Sequence, residues 1–352
     1  MQGHNRQGLI GIILCIVLVM GALATTVAAD AKYKLKFVGI SRAVDTWPYW
    51  EKWAKSVNEK TGGQVEIELV SLPELGFGGV ELIKLIKTGV VDVAEIYGGY
   101  VAGEMPLMEI LELPGIFPDP ETAKQAILAW KPTEAKLLKQ RANAELLAMA
   151  AYPDQAIFSK KPIKTLEDFR GLKTRVHSVA LSSLVAGLGG EPLSLAFAEV
   201  YTAMERGTVD AAFTGTKPGY DQRWYEVTKY LVGPISMRPH VALSVNRKTW
   251  KRLPEEIRKT MREEAITIVE DKVLRQGEVE VWNRQGLDNN QEKGMELMPF
   301  SPELRAAVEK TLREVVIPDW IKRAKNQKVD GKGPQELFNE IIAPLVGYKV
   351  GS

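Results

Sequence analysis

"KTGVVDVAEIYGG" occupies Lys87–Gly99 and "RGTVDAAFTGT" occupies Arg206–Thr216. With Gly89 set on Gly207, Val91 falls on Val209, Asp92 on Asp210 and Ala94 on Ala212. In each phrase a glycine closes a helical run, because it accepts the left-handed backbone that ends a helix, and an apolar strand follows. One such step is common to any α/β fold. Two of them, each inside its own series of alternating elements, predict two α/β units.

The first series reads outward from Gly89. "YKLKFVGI" (Tyr33–Ile40) is a strand. The helix after it places Trp50, Trp53, Ala54 and Val57 on one face and stops at Gly62-Gly63. "QVEIELV" is a second strand, "GGVELIKLIKTG" a helix and "VVDVAEIY" a third strand. The second series has a strand with a crossing at "ELLAMAAYPDQAIF" (Glu145–Phe158), a short helix from Thr165 to Gly171, the strand "LKTRV", two helices and the strand "TVDAAFTG". The fold class predicted is α/β with two lobes, each a mostly parallel sheet flanked by helices. In open α/β sheets ligands bind at the carboxyl rim of the strands. That rim carries Glu95, Ile96 and Tyr97 in one unit and Phe213, Thr214 and Gly215 in the other, so a cleft between the lobes is expected.

The last third is helical and charged. A helix starting near Pro254 and running some 30 residues would be roughly 45 Å long. That exceeds one small lobe, so it is expected to brace both. Another helix starts at Ser301 as cap and Pro302 at its first position. The expected division is 30–152 with 243–287 in lobe I, and 153–242 with 288–352 in lobe II.

Residues 1–29 read as a secretory signal peptide. Arg6 precedes an apolar run from Leu9 to Leu23, and Val27-Ala28-Ala29 close it with small residues. A retained anchor is the alternative, but the run is short for a span. Cleavage would leave 323 of the 352 residues and would lower the net charge from +2 to +1 by removing Arg6. Such a balance points to no nucleic-acid or anionic-membrane partner. The single cysteine, Cys15, would leave with the leader, so the exported chain has no disulfide and no thiol chemistry. Periplasmic location, a monomeric state and no cofactor are the expectations.

Catalytic patterns are missing from the sequence. It contains no HExxH, no GxSxG and no P-loop, and His177 and His240 are isolated in sequence, a poor basis for a metal site. "GFGGVEL" (Gly76–Leu82) lacks the full dinucleotide-binding pattern. The chain is expected not to be an enzyme.

"KKPIKTLEDFRGLKTRV" (Lys160–Val176) resembles the hallmark segment of solute-binding proteins of tripartite ATP-independent periplasmic (TRAP) transporters. "SVNEKTGGQVEIEL", "LPELGFGGVELIKLIKTGVVDVAE", "ILELPGIF" and "AEVYTAMERGTVDAAF" follow the family's order across nearly all of the chain after the leader. The resemblance implies capture of a small organic acid between two lobes and delivery to a membrane permease driven by an ion gradient. A chemosensory binding protein, or a secreted enzyme acting on a small acid, is the alternative.

The resemblance also implies that Arg175 anchors the substrate carboxylate. A guanidinium stays charged and offers two parallel donors that fit a carboxylate. Two departures stand out. The family's Asn after the second Val-Asp is absent, leaving Thr214 or Thr216. Its second Arg is replaced by a stretch containing Asp154 and Gln155. Trp47, Tyr97, Phe213 and Tyr220 are candidate aromatic walls. A monocarboxylate with an apolar or aromatic body is therefore expected. Glu74 and Asp154 leave a zwitterionic ligand open. An open cleft would leave Arg175 solvated.

Overall fold

The computed structural model describes residues 31–351; the leader reading falls outside the described residues. The strands are β1 (Tyr33–Gly39), β2 (Val65–Ser71), β3 (Val93–Tyr97), β4 (Ala144–Ala151), β5 (Gln155–Ser159), β6 (Lys173–Val176), β7 (Glu191–Ser194), β8 (Ala211–Gly215), β9 (Tyr230–Ile235), β10 (His240–Asn246) and β11 (Glu296–Met298). They form two sheets, ordered β2-β1-β3-β10-β4 and β11-β9-β5-β8-β6-β7. Helices flank both, giving two lobes.

The repeated phrase has one structural meaning in both lobes. β3 lies between parallel β1 and antiparallel β10; β8 lies between parallel β6 and antiparallel β5. The Asp92 N–H donates to Lys36 O at 2.9 Å, and the Asp210 N–H donates to Lys173 O at 2.8 Å. The carbonyl of each aspartate accepts from the antiparallel neighbour, from Asn246 N–H at 2.8 Å and from Lys160 N–H at 3.0 Å. Gly89 and Gly207 close the preceding helices at φ +79° and +74°, a conformation that a side chain would strain.

The sheets are mostly parallel, as expected, but mixed: one strand in each, β10 in the first and β5 in the second, runs against all the others. Each lobe receives strands that arrive from the other lobe, and these run against their neighbours. β4 passes into β5 through Tyr152–Asp154, where Pro153 has no N–H to extend a ladder. β9 passes into β10 through residues 236–239. Because β10 starts at His240 inside the first sheet, residues 240–242 belong to that sheet and not to the second lobe.

The brace does cross both lobes, but in pieces. Helix Glu255–Ala265 packs on helix Trp47–Lys60, whose buried face is Trp50, Trp53, Ala54 and Val57; Trp53 Nε1 donates to Met261 O at 3.0 Å. The π-helical turns Ile266–Arg275 follow, and Glu270 there accepts from the Met149 N–H in β4 at 3.1 Å. Gly277 at φ +77° then breaks the run before helix Glu278–Glu292. That last helix docks on the second lobe, where Asn290 Nδ2 donates to Thr216 O at 2.9 Å. The final helices also touch segments that the expected division gave to lobe I. Trp320 Nε1 donates to Pro106 O at 2.7 Å, and Arg323 pairs with Glu109 at 2.7 Å.

Candidate functional site

Between the sheets lies a cleft whose inner part, counted with the solvent space at its mouth, holds about 410 Å³ of empty space. The first lobe contributes Ile40, Val44, Tyr97, Tyr100 and Tyr152; the second contributes Gln155, Arg175, His177, Phe197 and Thr214. Tyr97 comes from the carboxyl end of β3 and Thr214 from that of β8, the rims of the two repeated steps.

Arg175 lies in β6, which is flanked by β8 and β7. It is 1% exposed, so the expectation of a solvated arginine does not hold. Its Nε donates to Leu195 O at 3.1 Å and its Nη1 to Phe213 O at 2.7 Å. Tyr100 stands beside it, and the Trp224 ring centroid lies 6.0 Å from its central carbon. Among the described residues no carboxylate forms an ion pair with it. Burial pulls its pKa down, and the neighbouring Tyr100 and Tyr97 partly oppose this. The guanidinium is thus buried at the cavity wall without a carboxylate ion pair among the described residues, an arrangement chemically suited to an anion.

His177 shares the wall. Its Nδ1 is 2.9 Å from Tyr97 Oη and its Nε2 is 2.9 Å from Gln155 Oε1. Burial first, and then the charge of Arg175, drive its pKa well below the ordinary value, so the ring is neutral. Tyr152 donates to Glu95 Oε1 at 2.6 Å. Glu95 also accepts from Thr46 Oγ1 at 2.7 Å and from the Ile40 N–H at 2.9 Å, which satisfies a carboxyl group that has no exposed surface. Burial raises its pKa, and the hydrogen bond from Tyr152 is the largest opposing effect. Glu95 holds the Tyr152 ring in place from behind.

Of the residues named from the sequence, Arg175, Tyr97, Gln155 and Thr214 line the cavity, and six side chains do not. Trp47 packs on Phe37 at 6.3 Å between ring centroids and donates to Glu51 at 2.8 Å, inside the first lobe's core. Glu74 is exposed and clamps a turn: it accepts from the Ser71 N–H at 2.7 Å and from Arg42 at 3.0 Å. The Arg42 contact is the main reason its pKa falls to about 2. Asp154 turns away to Arg238 at 3.3 Å. Phe213 is fully buried on the opposite face of β8 from Thr214, as strand alternation requires, and reaches the site only through its carbonyl. Tyr220 stacks on Tyr225, 5.3 Å away. Thr216 is buried, with its hydroxyl on Asn283 O at 3.2 Å.

Sequence reasoning missed Tyr100, Tyr152, His177 and Phe197. One signal was available: His177 is two residues after Arg175 on the same strand exit, so both face one side.

The chain matches the family model of bacterial extracellular solute-binding proteins, family 7, over residues 47–322. It is 29% identical over 211 residues to the protein YiiZ of Salmonella typhimurium, a match covering 58% of this chain and 63% of that one. The chain thus spans less than two thirds of that relative's length. Two crystal structures share the fold. One is DctP7 of Bordetella pertussis, a receptor binding pyroglutamic acid, with TM-score 0.80 and 22% identity over 90% of this chain and 99% of that one. The other is a TRAP periplasmic solute-binding protein of Desulfovibrio salexigens with bound orotic acid, with TM-score 0.80 and 24% identity over 89% and 99%. The family match, the two-lobed fold and the motifs around Arg175 agree: the chain belongs to the bacterial extracellular solute-binding proteins of family 7.

Proposed function

We propose that this protein captures a small monocarboxylate between its lobes and delivers it to an ion-gradient-driven membrane permease from the extracytoplasmic side. The observation that carries the reading is Arg175, buried against the cavity with its carbonyl bonds made and no acid partner among the described residues. One permanent cation favours one carboxylate. Among the described residues no aspartate or glutamate lines the cavity, so a ligand ammonium would be buried there without a counterion. This disfavours the zwitterion left open by Glu74 and Asp154. Tyr97, Tyr100, Tyr152 and Phe197 suit a compact, flat or apolar body. The ligands bound by DctP7 and by the Desulfovibrio protein are small ring acids with a single carboxylate, which supports the same class.

The test is a thermal-shift and calorimetry panel of mono- and dicarboxylates, with mass spectrometry of any acid that co-purifies. Monocarboxylates should raise the melting temperature and return chemically unchanged. Preferential binding of dicarboxylates or amines, or turnover of the ligand, would refute the reading.

A further inference from the structure

We propose that His177 sets the hydrogen-bond polarity of the cavity, spending the Tyr97 hydrogen so that the ligand must bring its own N–H or O–H donor close to its carboxylate. The proposal rests on the carboxylate reading of Arg175 above and adds a substrate class to it.

Each link in the relay has only one sense. Pro153 O can only accept, and Gln155 Nε2 lies 3.1 Å from it, so the amide NH₂ faces Pro153 and Oε1 faces His177. Oε1 can only accept in turn, so His177 Nε2 carries the hydrogen across the 2.9 Å contact. In a neutral imidazole the other nitrogen then has a lone pair. Tyr97 Oη, 2.9 Å from Nδ1, therefore donates to it, in preference to the neighbouring Glu112 carboxyl, which makes no bond of comparable length to that hydroxyl. A doubly protonated ring is disfavoured by burial and by Arg175 on the same strand exit. The Tyr97 oxygen has only lone pairs left for the cavity. Tyr152, also on the wall, points its hydroxyl at Glu95 Oε1. Two phenols that could have served as donors are committed away from the ligand.

Tyr97 and Tyr152 thus offer acceptors from the first lobe, while the cation sits on the second lobe beside the Tyr100 hydroxyl. An acid carrying a ring N–H or a 2-hydroxyl next to its carboxylate satisfies both sides. An isostere with an oxygen acceptor in that place would set lone pair against lone pair and leave a buried phenol oxygen unsatisfied. Sites built around a substrate's donor reject the analogue lacking it far more strongly than apolar pockets discriminate shape.

The experiment compares matched pairs by calorimetry on the full protein. One pair is pyroglutamate with its lactone analogue 5-oxotetrahydrofuran-2-carboxylate; the other is mandelate with phenylglyoxylate. If the panel identifies a different acid, its own donor-less isostere forms the pair. In the wild type the donor-bearing member should bind at least tenfold tighter. His177→Phe removes the acceptor, frees the Tyr97 hydrogen and should collapse that ratio. His177→Asn keeps an acceptor near the Nδ1 position and should preserve it. A merely structural role for His177 would weaken both members together and leave the ratio alone. Equal binding within the pairs by the wild type, or binding only of acids without a donor, overturns the proposal while the monocarboxylate reading stands. Binding of no carboxylate at all overturns both. The wild-type comparison decides even if a variant fails to fold.

Discussion

Lys217 of the second lobe reaches Asp45 of the first, Nζ to Oδ1, at 3.0 Å, beside the Val44 and Pro218 edge of the cavity. The Asp45 side chain has no exposure, and burial, opposed by Lys217, lifts its pKa to about 6. The pair spans the cleft and exists only while the lobes are together. Lys217→Ala should therefore shift the balance toward separated lobes and weaken ligand binding about tenfold, roughly 1.4 kcal/mol. Calorimetry checks it. An unchanged Kd would mean that the contact contributes nothing to closure.

A second ionic group ties the three passages between lobes. Arg238, 2% exposed on the β9–β10 link, lies 3.3 Å from Asp154 on the β4–β5 link and 3.1 Å from Glu280 just after Gly277. Burial outweighs Arg238 and raises the Asp154 pKa to about 6. The native state then holds a proton that the unfolded chain, near 3.8, has released. Stability from this group accordingly falls as pH rises from about 4 to about 6, with a slope approaching 1.4 kcal/mol per pH unit. Asp154→Asn should flatten that part of the urea-denaturation profile. A profile identical to wild type would place Asp154 in water.

Arg238→Met should behave differently, since it strands two acids. A buried pair broken on one side typically loses about 3–5 kcal/mol. Chemical denaturation at pH 7 measures it, and the loss should shrink near pH 4, where Asp154 is protonated.

Arg175→Ala should abolish the ligand-induced melting shift, because the bound carboxylate would be left without its cation. It should also lower the melting temperature of the ligand-free protein. Leu195 O and Phe213 O lose their donors, each worth about 1–3 kcal/mol if left unsatisfied. Arg175→Lys cannot make both carbonyl bonds and offer a planar fork to the ligand, so it should lose ten- to hundredfold in affinity. Full retention of the ligand-induced shift in Arg175→Ala would remove the anchor.

Adjacent residues of β8 should separate stability from binding. Phe213→Ala hollows the core and should cost about 3–5 kcal/mol. Thr214→Val keeps the volume but removes a hydroxyl from the cavity wall, and should cost affinity with little change in melting. Circular-dichroism melts and calorimetry on the two variants distinguish them; the reverse pattern would invert the strand's facing.

What could be read from the sequence alone was local and periodic. The Gly89 and Gly207 steps marked two equivalent strands, because a left-handed cap and a buried strand are set by a few neighbouring residues. The Trp50, Trp53, Ala54 and Val57 face followed from helical spacing. The motif around Arg175 identified the family, and Arg175 does line the cavity. Tertiary structure alone decided which side chains share the cavity. Trp47 and Asp154 had the right chemistry in the right segments, yet one enters the core beside Phe37 and the other turns to Arg238. His177 gained its role from Tyr97, 80 residues away, and from Gln155, 22 away. The antiparallel strands β5 and β10 depend on the chain crossing between lobes, and no local pattern records which lobe a strand joins. Pattern and capping act over one turn or one strand. Hydrogen-bond polarity and buried charge depend on whichever groups the packed fold brings within about 3 Å.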